Sequence, residues 1–176
     1  METLFVAGVV TIIAAVSVPQ LTAGLELART RAAARYLAAQ MASVRMQALK
    51  RSSAMALRFQ RSPGGVLVSV YVDGNRNGVR AAEITSGVDR LVEAPVRLED
   101  LFPGVTISAP AGDPGPAVDL GGTELLTFSP GGTATSGTIK ILGRDGSRFA
   151  LRVFGSTGRI RLLRFDPRVG DWTESL

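Results

Sequence analysis

The hydrophobic pattern divides the chain into an apolar start, a one-sided helical segment and a long region of short alternating segments. The first part carries no charge from Thr3 to Leu25. A helix of that length, rising about 1.5 Å per residue, is long enough to cross the roughly 30 Å hydrocarbon core of a bilayer. A signal peptide or a buried core helix are the alternatives, but a basic start and a small-residue cleavage site are not evident. We therefore predict a membrane-spanning or assembly-embedded helix over residues 1–25.

The second part is apolar on one side only. Apolar residues recur at helical spacing from residue 21 to residue 55, with arginine, lysine and glutamine between them. This period predicts that the helix continues as an amphipathic segment over residues 26–53, past the kink that Pro19 would introduce. The first half of such a rod is apolar all round, so it requires lipid or the same helices of sister subunits around it.

Beyond residue 54 apolar and polar residues alternate, which is typical of β-strands. Strands are predicted at residues 55–60, 66–72, 90–98, 105–109, 124–129, 138–142, 149–153 and 159–165. Residues 110–122 are predicted to be a Pro/Gly loop, and residues 166–176 a polar tail with Trp172 as its large apolar anchor. The expected fold class is α+β: a long N-terminal helix, with a membrane-spanning first half, packed on an antiparallel β-sheet or β-sandwich domain over residues 54–176.

Composition narrows the chemistry. The chain contains no cysteine and no histidine, which excludes thiolate nucleophiles, the Ser-His-Asp arrangement and the usual zinc sites. The net charge of +5 permits anionic partners without requiring them. The glycine-rich segments at 63–65 and 129–132 lack the Lys-Ser/Thr of a P-loop and are predicted to be turns. No catalytic or cofactor-binding residue is predicted, and the chain is not expected to be an enzyme.

Several segments together resemble a known superfamily. Glu2, the apolar run and the Val18-Pro19 step resemble the N-terminus of type IV pilin-like proteins. The C-terminal half resembles the GspH/FimT branch in three motifs: Phe128-Ser129-Pro130-x-Gly132, Gly137-Thr138-Ile139 and Gly158-Arg159-Ile160-Arg161. The resemblance implies a minor pseudopilin of a type II secretion system, a structural subunit of the inner-membrane-anchored pseudopilus with a periplasmic C-terminal domain. It leaves open a FimT-like minor pilin of a type IV pilus that binds DNA for natural transformation.

The start of the chain departs from that family. Pilin-like proteins carry a basic leader ending in Gly, which prepilin peptidase removes before methylation, whereas Met1 directly precedes Glu2 here. We expect that a leader is encoded upstream of Met1; a shortened chain is the alternative. The positive-inside rule, applied to Arg29, Arg31 and Arg35, would keep the C-terminal domain in the cytoplasm. The resemblance places it outside, and we follow the resemblance because the charges of the leader would lie upstream.

Glu2 and Pro19 are the candidate assembly residues. The resemblance implies that Glu2 pairs with the N-terminal amine of a neighbouring subunit and sets helical register, and that other pseudopilins are partners through the N-terminal helix. A carboxylate at the membrane edge is costly without a partner or nearby water. The alternative is an unpaired charge at the membrane interface.

The segment Asp73-Gly74-Asn75-Arg76-Asn77-Gly78 begins like a calcium loop, with oxygen donors at alternate positions and glycine sixth. The twelfth position, which should supply a bidentate acid, is Ile84, and Glu83 lies one residue short. Asp73, Asn75 and Asn77 are thus an incomplete calcium candidate. The favoured interpretation is a polar loop between strands, without metal or other cofactor.

Five arginines crowd the last predicted strands: Arg152, Arg159, Arg161, Arg164 and Arg168. Alternation places Arg159 and Arg161 on one face, and such a stripe can neutralise phosphates. In FimT-like pilins the Gly-Arg-x-Arg ending is linked to DNA capture, so Arg159, Arg161 and Arg164 are the candidate DNA-binding residues. A solvated sheet face that protects an edge, or a contact with a neighbouring pseudopilin, are the alternatives.

Overall fold

The computed structural model describes the backbone of residues 2–110, 112–113 and 115–175, and the side chains of those residues from Gly24 onward. The elements, in chain order, are α1 (Glu2–Arg51), β1 (Met55–Ser62), β2 (Gly65–Val72), α2 (Ala81–Ser86), β3 (Arg90–Arg97), α3 (Leu98–Leu101), β4 (Val105–Thr106), β5 (Val118–Asp119), β6 (Leu125–Phe128), β7 (Gly137–Gly143), β8 (Arg148–Phe154), β9 (Arg159–Asp166) and β10 (Asp171–Glu174).

The strands form two antiparallel sheets. The four-stranded sheet has the order β3-β2-β1-β6, and the six-stranded sheet has the order β10-β9-β8-β7-β4, with β5 also pairing with β7. Short turns join β1 to β2, β7 to β8, β8 to β9 and β9 to β10, and each of these pairs is antiparallel. The register of these four strand pairs is therefore set by local hairpins.

Helix α1 supplies the centre of the core. From residue 24 onward its buried apolar side chains recur at helical spacing and are Ala33, Ala34, Leu37, Met41, Val44 and Ala48. The helix contacts β1 and β6 of the four-stranded sheet as well as β4, β7, β8 and β9 of the six-stranded sheet. Large side chains from both sheets, such as Phe59 and Phe149, are buried in the same cluster as Leu37 and Met41. Both sheets thus pack on one stripe of the helix.

The predicted class, α+β with an N-terminal helix packed on antiparallel sheets, is confirmed, but the β-sandwich alternative is wrong. In a sandwich the inner faces of two sheets interdigitate. Here the buried stripe of α1 lies against strands of both sheets, so the helix occupies the space that a facing sheet would fill. The helix ends at Arg51 rather than near residue 53, because Ser52 adopts a left-handed conformation with φ of 48°.

Two short strands lie in segments that were predicted to be irregular. Strand β5 falls within the Pro/Gly loop, and β10 forms from the tail. In β10 the Trp172 ring packs edge-on against Phe165 of β9, with 5.5 Å between ring centroids. Gly170, with φ of 72°, turns the chain back so that this contact can form.

Where side chains are described, no helix combines the length and the apolar character that a membrane crossing requires. The predicted span over residues 1–25 falls, apart from residues 24 and 25, outside the residues with described side chains. The candidate assembly residues Glu2 and Pro19 lie outside them as well.

Candidate functional site

The Gly-Arg-Ile-Arg ending begins in a turn that is held against α1. Arg45 of the helix donates a hydrogen bond from Nη2 to the carbonyl oxygen of Thr157, at 2.8 Å. Gly158 is buried and has a φ of 59°, and a Cβ at this position would lie 2.7 Å from the carbonyl oxygen of Gly132 and 2.9 Å from Nε of Arg45. The glycine of the motif is therefore required by both backbone conformation and space.

The turn from Ser129 to Gly132 lies directly against this glycine. It is closed by the Gly132 N–H, which donates to the carbonyl oxygen of Ser129 at 3.1 Å, and Gly132 has a φ of 88°. The N–H of Ala134 then donates to the carbonyl oxygen of Gly155 at 2.7 Å, which ties the turn to the end of β8. Two motifs that are distant in sequence thus meet at one point beside Arg45.

Strand pairing places Arg159 and Arg161 on the face of the six-stranded sheet that points away from α1. Arg161 lies directly opposite Arg152 of β8, and Arg159 lies opposite Phe154. Arg152 and Phe154 are exposed, whereas the alternating β8 residues, such as Val153, are buried toward the helix. The structure therefore brings Arg159 and Arg161 together as predicted and adds Arg152 to them. We call these three residues the outer arginine cluster.

Arg164 is not part of this cluster. It pairs with Phe149, whose side chain is buried in the core on the helix side of the sheet. Arg164 lines a groove near the described start of the α1 side chains, together with Leu27 and Asp145. The structure thus separates Arg164 from the other two candidate DNA-binding residues by the thickness of the sheet.

The outer arginine cluster is only partly neutralised. Like charges directly opposite one another on neighbouring strands are unfavourable, and Arg152 and Arg161 stand in that relation. The Arg161 guanidinium lies 5.2 Å from the centroid of the Phe154 ring, and its Nε lies 3.8 Å from Oε1 of Glu174. The Arg161 and Glu174 side chains are 39% and 50% exposed, so their long ion pair is screened by solvent. This face can therefore still attract an anionic partner.

The calcium-like loop is closed by its own backbone. Asp73 is buried, and its Oδ1 accepts hydrogen bonds from the N–H groups of Asn75 at 3.0 Å and Arg76 at 2.7 Å. Its Oδ2 accepts a third from the N–H of Gly78 at 2.7 Å. The Asp73 carboxylate thus stabilises the turn by satisfying three main-chain donors.

Glu83 completes the loop from helix α2. Its Oε1 accepts hydrogen bonds from Nδ2 of Asn75 at 3.2 Å and Nδ2 of Asn77 at 2.7 Å, so amide nitrogens face the carboxylate. Within the described part of the chain, no group of three or more His, Cys, Asp or Glu side chains is placed to hold a metal ion. The arrangement accounts for the loop as a structural turn, and the absence of a calcium requirement stays a prediction.

Residues 33–158 match the family model described as type II transport protein GspH. The chain belongs to the GspH family. Comparisons with curated proteins and with solved structures returned no match. The matched range includes the buried stripe of α1 and ends at Gly158, so Arg159 and Arg161 lie just beyond it.

The close approach at Gly158 can be tested in this GspH-family chain by a matched pair of substitutions. Gly158→Ala places a Cβ against Gly132 and Arg45 in a left-handed conformation, so we expect the free energy of unfolding to fall by roughly 3 kcal/mol. Gly146 also has a positive φ, of 80°, but an added Cβ would meet nothing within 4 Å. Gly146→Ala should therefore lose only about 1 kcal/mol. Urea denaturation of the full-length chain measures both, and equal losses would contradict the packing role.

The structural role of Asp73 in the calcium-like loop can be tested by substitution. Asp73→Ala leaves three N–H groups without their acceptor, so we expect the free energy of unfolding to fall by about 2 kcal/mol. Substitution of the exposed Asp100 by Ala should change it by less than about 0.5 kcal/mol. Calorimetric titration of the unaltered chain with millimolar calcium should give no binding heat. A calcium heat that disappears in Asp73→Asn would show that the loop is a metal site.

Proposed function

We propose that this chain is a minor pseudopilin of a type II secretion system, a structural subunit of the inner-membrane-anchored pseudopilus rather than an enzyme. The observation that carries the proposal is the GspH family match over residues 33–158, which spans the junction of α1 with both sheets. Its action is assembly. The absence of cysteine and histidine from the sequence agrees with a role that needs neither nucleophile nor general base.

In this proposal the two halves of the N-terminal helix have different surroundings. Residues 3–25 carry no charge, and burying an aliphatic side chain is favourable by roughly 1.5–3 kcal/mol, so lipid or other apolar helices are their stable environment. This segment anchors the subunit in the inner membrane and afterwards lies among the helices of the pseudopilus. Prepilin peptidase is a further partner in this proposal if a leader precedes the segment.

The second half of α1 couples this anchor to the periplasmic domain. Because Leu37, Met41 and Val44 are buried against strands of both sheets, the helix and the sheets share one close-packed core. A displacement of the helix during assembly would therefore carry the whole β-domain with it. The loops of that domain are presented to neighbouring subunits, to the secretion machinery or to cargo.

Glu2 sets the position of the subunit in this scheme. A lone carboxylate at the start of an apolar helix is stabilised when it meets a positive charge, and the N-terminal amine of a neighbouring subunit supplies one. This pairing selects one axial register between adjacent helices, while the apolar surface supplies most of the association energy.

The Glu2→Ala variant tests this assignment. We expect the β-domain to keep its folded circular dichroism spectrum while incorporation into the pseudopilus, measured by co-isolation with sheared pseudopili, falls to background. Glu124→Ala removes a partly exposed acid whose ion pair to Arg58 is 3.9 Å long, so it should incorporate normally. Normal incorporation of Glu2→Ala would contradict the proposed role.

A second candidate function is favoured by the outer arginine cluster. Arg152, Arg159 and Arg161 project from adjoining strands on one exposed face, which suits contact with successive phosphates of a nucleic acid backbone. The chain would then be a type IV pilus minor pilin that binds DNA for uptake. Such binding would depend steeply on salt and little on base sequence.

Electrophoretic mobility shift at low salt tests the DNA function. If it holds, the unaltered chain retards a duplex of mixed sequence, and Arg159→Ala combined with Arg161→Ala weakens binding at least tenfold. Arg164→Ala is the matched control, because Arg164 lies on the opposite face of the sheet. No shift with the unaltered chain, or an equal shift with the double variant, would remove this candidate.

A further inference from the structure

A groove lies between the exposed side of α1 and the start of β9. It has a volume of about 510 Å³, and its apolar lining comprises Ala38, Ala42, Met46 and Leu49 of the helix and Ile160 and Leu162 of the strand. We call it the helix–strand groove. Met46 is 53% exposed and Leu49 is 38% exposed, although both lie on a helix whose opposite side is fully buried. Within the part of the chain that the structure describes, the groove therefore presents apolar surface that no other segment covers.

The groove adjoins the first residues of β9, which β10 does not pair with. Strand β10 pairs with β9 from Leu163 to Asp166, and the Ser175 N–H donates one further hydrogen bond to the carbonyl oxygen of Leu162 at 3.0 Å. The part of β9 that carries Ile160 therefore forms the edge of the sheet, within the described residues, where it faces α1. A rod-shaped partner can enter between the helix and this edge without displacing a strand.

The surroundings of the groove are positively charged. Its two charged lining residues are Arg45 and Arg159, and Lys50 and Arg51 follow at the end of the helix. Between residues 24 and 51, α1 carries six basic residues and one acid, Glu26, which pairs with Arg29 at 2.7 Å near the other end. The groove thus combines an apolar floor with a basic rim.

We infer that the helix–strand groove docks an amphipathic helix of a different pilin-like subunit, one that carries Asp or Glu beside its apolar stripe. This inference rests on the proposed function, which supplies such subunits as neighbours. The spacing of Ala38, Ala42 and Met46 forms a ridge at i, i+4 and i+8, against which the ridges of a second helix can pack. The two alanines allow its backbone to approach closely, and acidic residues on its flanks would meet Arg45 and Arg159.

A second copy of this chain fits the groove poorly. The same helix from another copy would bring its own basic residues against Arg45, Arg159 and Lys50, with Glu26 as the one acid between residues 24 and 51. Like charges brought together at an interface repel one another, which disfavours self-association and selects an acidic partner. The basic rim therefore determines which partner binds, and the apolar floor contributes the affinity.

The residues of the Gly-Arg-Ile-Arg ending have different roles if the groove docks a helix. Gly158 packs the turn against α1, and Ile160 contributes to the groove floor. Arg159, the first residue of β9, belongs to the outer arginine cluster and also borders the groove at its rim. Arg45 is held in place by its hydrogen bond to the Thr157 carbonyl oxygen, so the rim charge on the helix side has a fixed position. Arg159 is exposed and can turn toward an incoming carboxylate.

Photo-crosslinking tests the docking in the full-length chain. Because the sequence has no cysteine, Met46→Cys gives one thiol, which can be labelled with benzophenone maleimide in membranes containing the complete set of pilin-like subunits. We expect an adduct with a different pilin-like subunit, mapped by peptide mass spectrometry to a helix with Asp or Glu beside the crosslinked residue. Leu49→Cys should give the same partner. Val169→Cys, which is 70% exposed and outside the groove, should not.

Charge reversal tests the acidic character of the partner. In the Met46→Cys chain, Arg159→Glu should lower the adduct yield about tenfold, and Arg168→Glu, an equal charge change at an exposed position outside the groove, should leave it unchanged. Replacement of the mapped partner acid by Lys should restore the yield with Arg159→Glu. This reciprocal rescue is not expected if Arg159 serves only to keep the fold intact.

Three outcomes would overturn the inference. They are an adduct with a second copy of this chain, an adduct that is insensitive to Arg159→Glu, and the absence of an adduct from both Met46→Cys and Leu49→Cys. If these labelled chains still co-isolate with pseudopili, the proposed function stands and only the groove assignment fails. If the unaltered chain does not co-isolate with any pilin-like subunit, the proposed function itself fails.

Discussion

The burial of one apolar stripe of α1 between two sheets is the interaction on which the rest of the structure depends. Leu37, Met41 and Val44 are at most 1% exposed, and they share a cluster with Phe59 of one sheet and Phe149 of the other. Each such side chain contributes roughly 1.5–3 kcal/mol when it is fully buried. Sheets built from short hairpins need an apolar surface to pack against, so the helix stabilises both sheets and also sets where the turns and edges of the domain lie.

The sequence predicts a helix or strand correctly where the hydrophobic pattern repeats over enough residues to establish its period. Strand β8 could be predicted because the large apolar residues Phe149, Leu151 and Val153 recur at every second position, with two arginines and a small alanine between and before them. Strand β10 could not, because its four residues have no alternating apolar pattern and are held by the contact of Trp172 with Phe165. Helix α2 is likewise too short to establish a period. A period also shows that a face is apolar without showing what covers it, so the sequence alone does not distinguish a sandwich from sheets that pack on a helix.

The positions of the candidate site residues were likewise predictable only where they follow from a local repeat. Alternation correctly placed Arg159 and Arg161 together, and the same rule applied over five positions would have placed Arg164 on the other face. Arg152 could not be assigned to the cluster from sequence, since its position opposite Arg161 depends on the register that the turn at residues 155–158 imposes. The contact of Arg45 with Thr157 joins residues 112 positions apart, and no local pattern reports a contact of that kind.

The buried side and the exposed side of α1 are therefore subject to different constraints. On the buried side, side-chain size is set by the sheets, and the alternation of Ala with Leu, Met and Val follows from close packing. On the exposed side, Ala42, Met46 and Leu49 make no comparable contribution to the fold, and polar helix formers such as Gln or Lys would satisfy the helix equally well. These positions lie beside arginines and next to an open strand edge. Apolar residues there are physically explained if a second helix covers them. The outward face of the helix is thus better explained by assembly than by the stability of the isolated subunit.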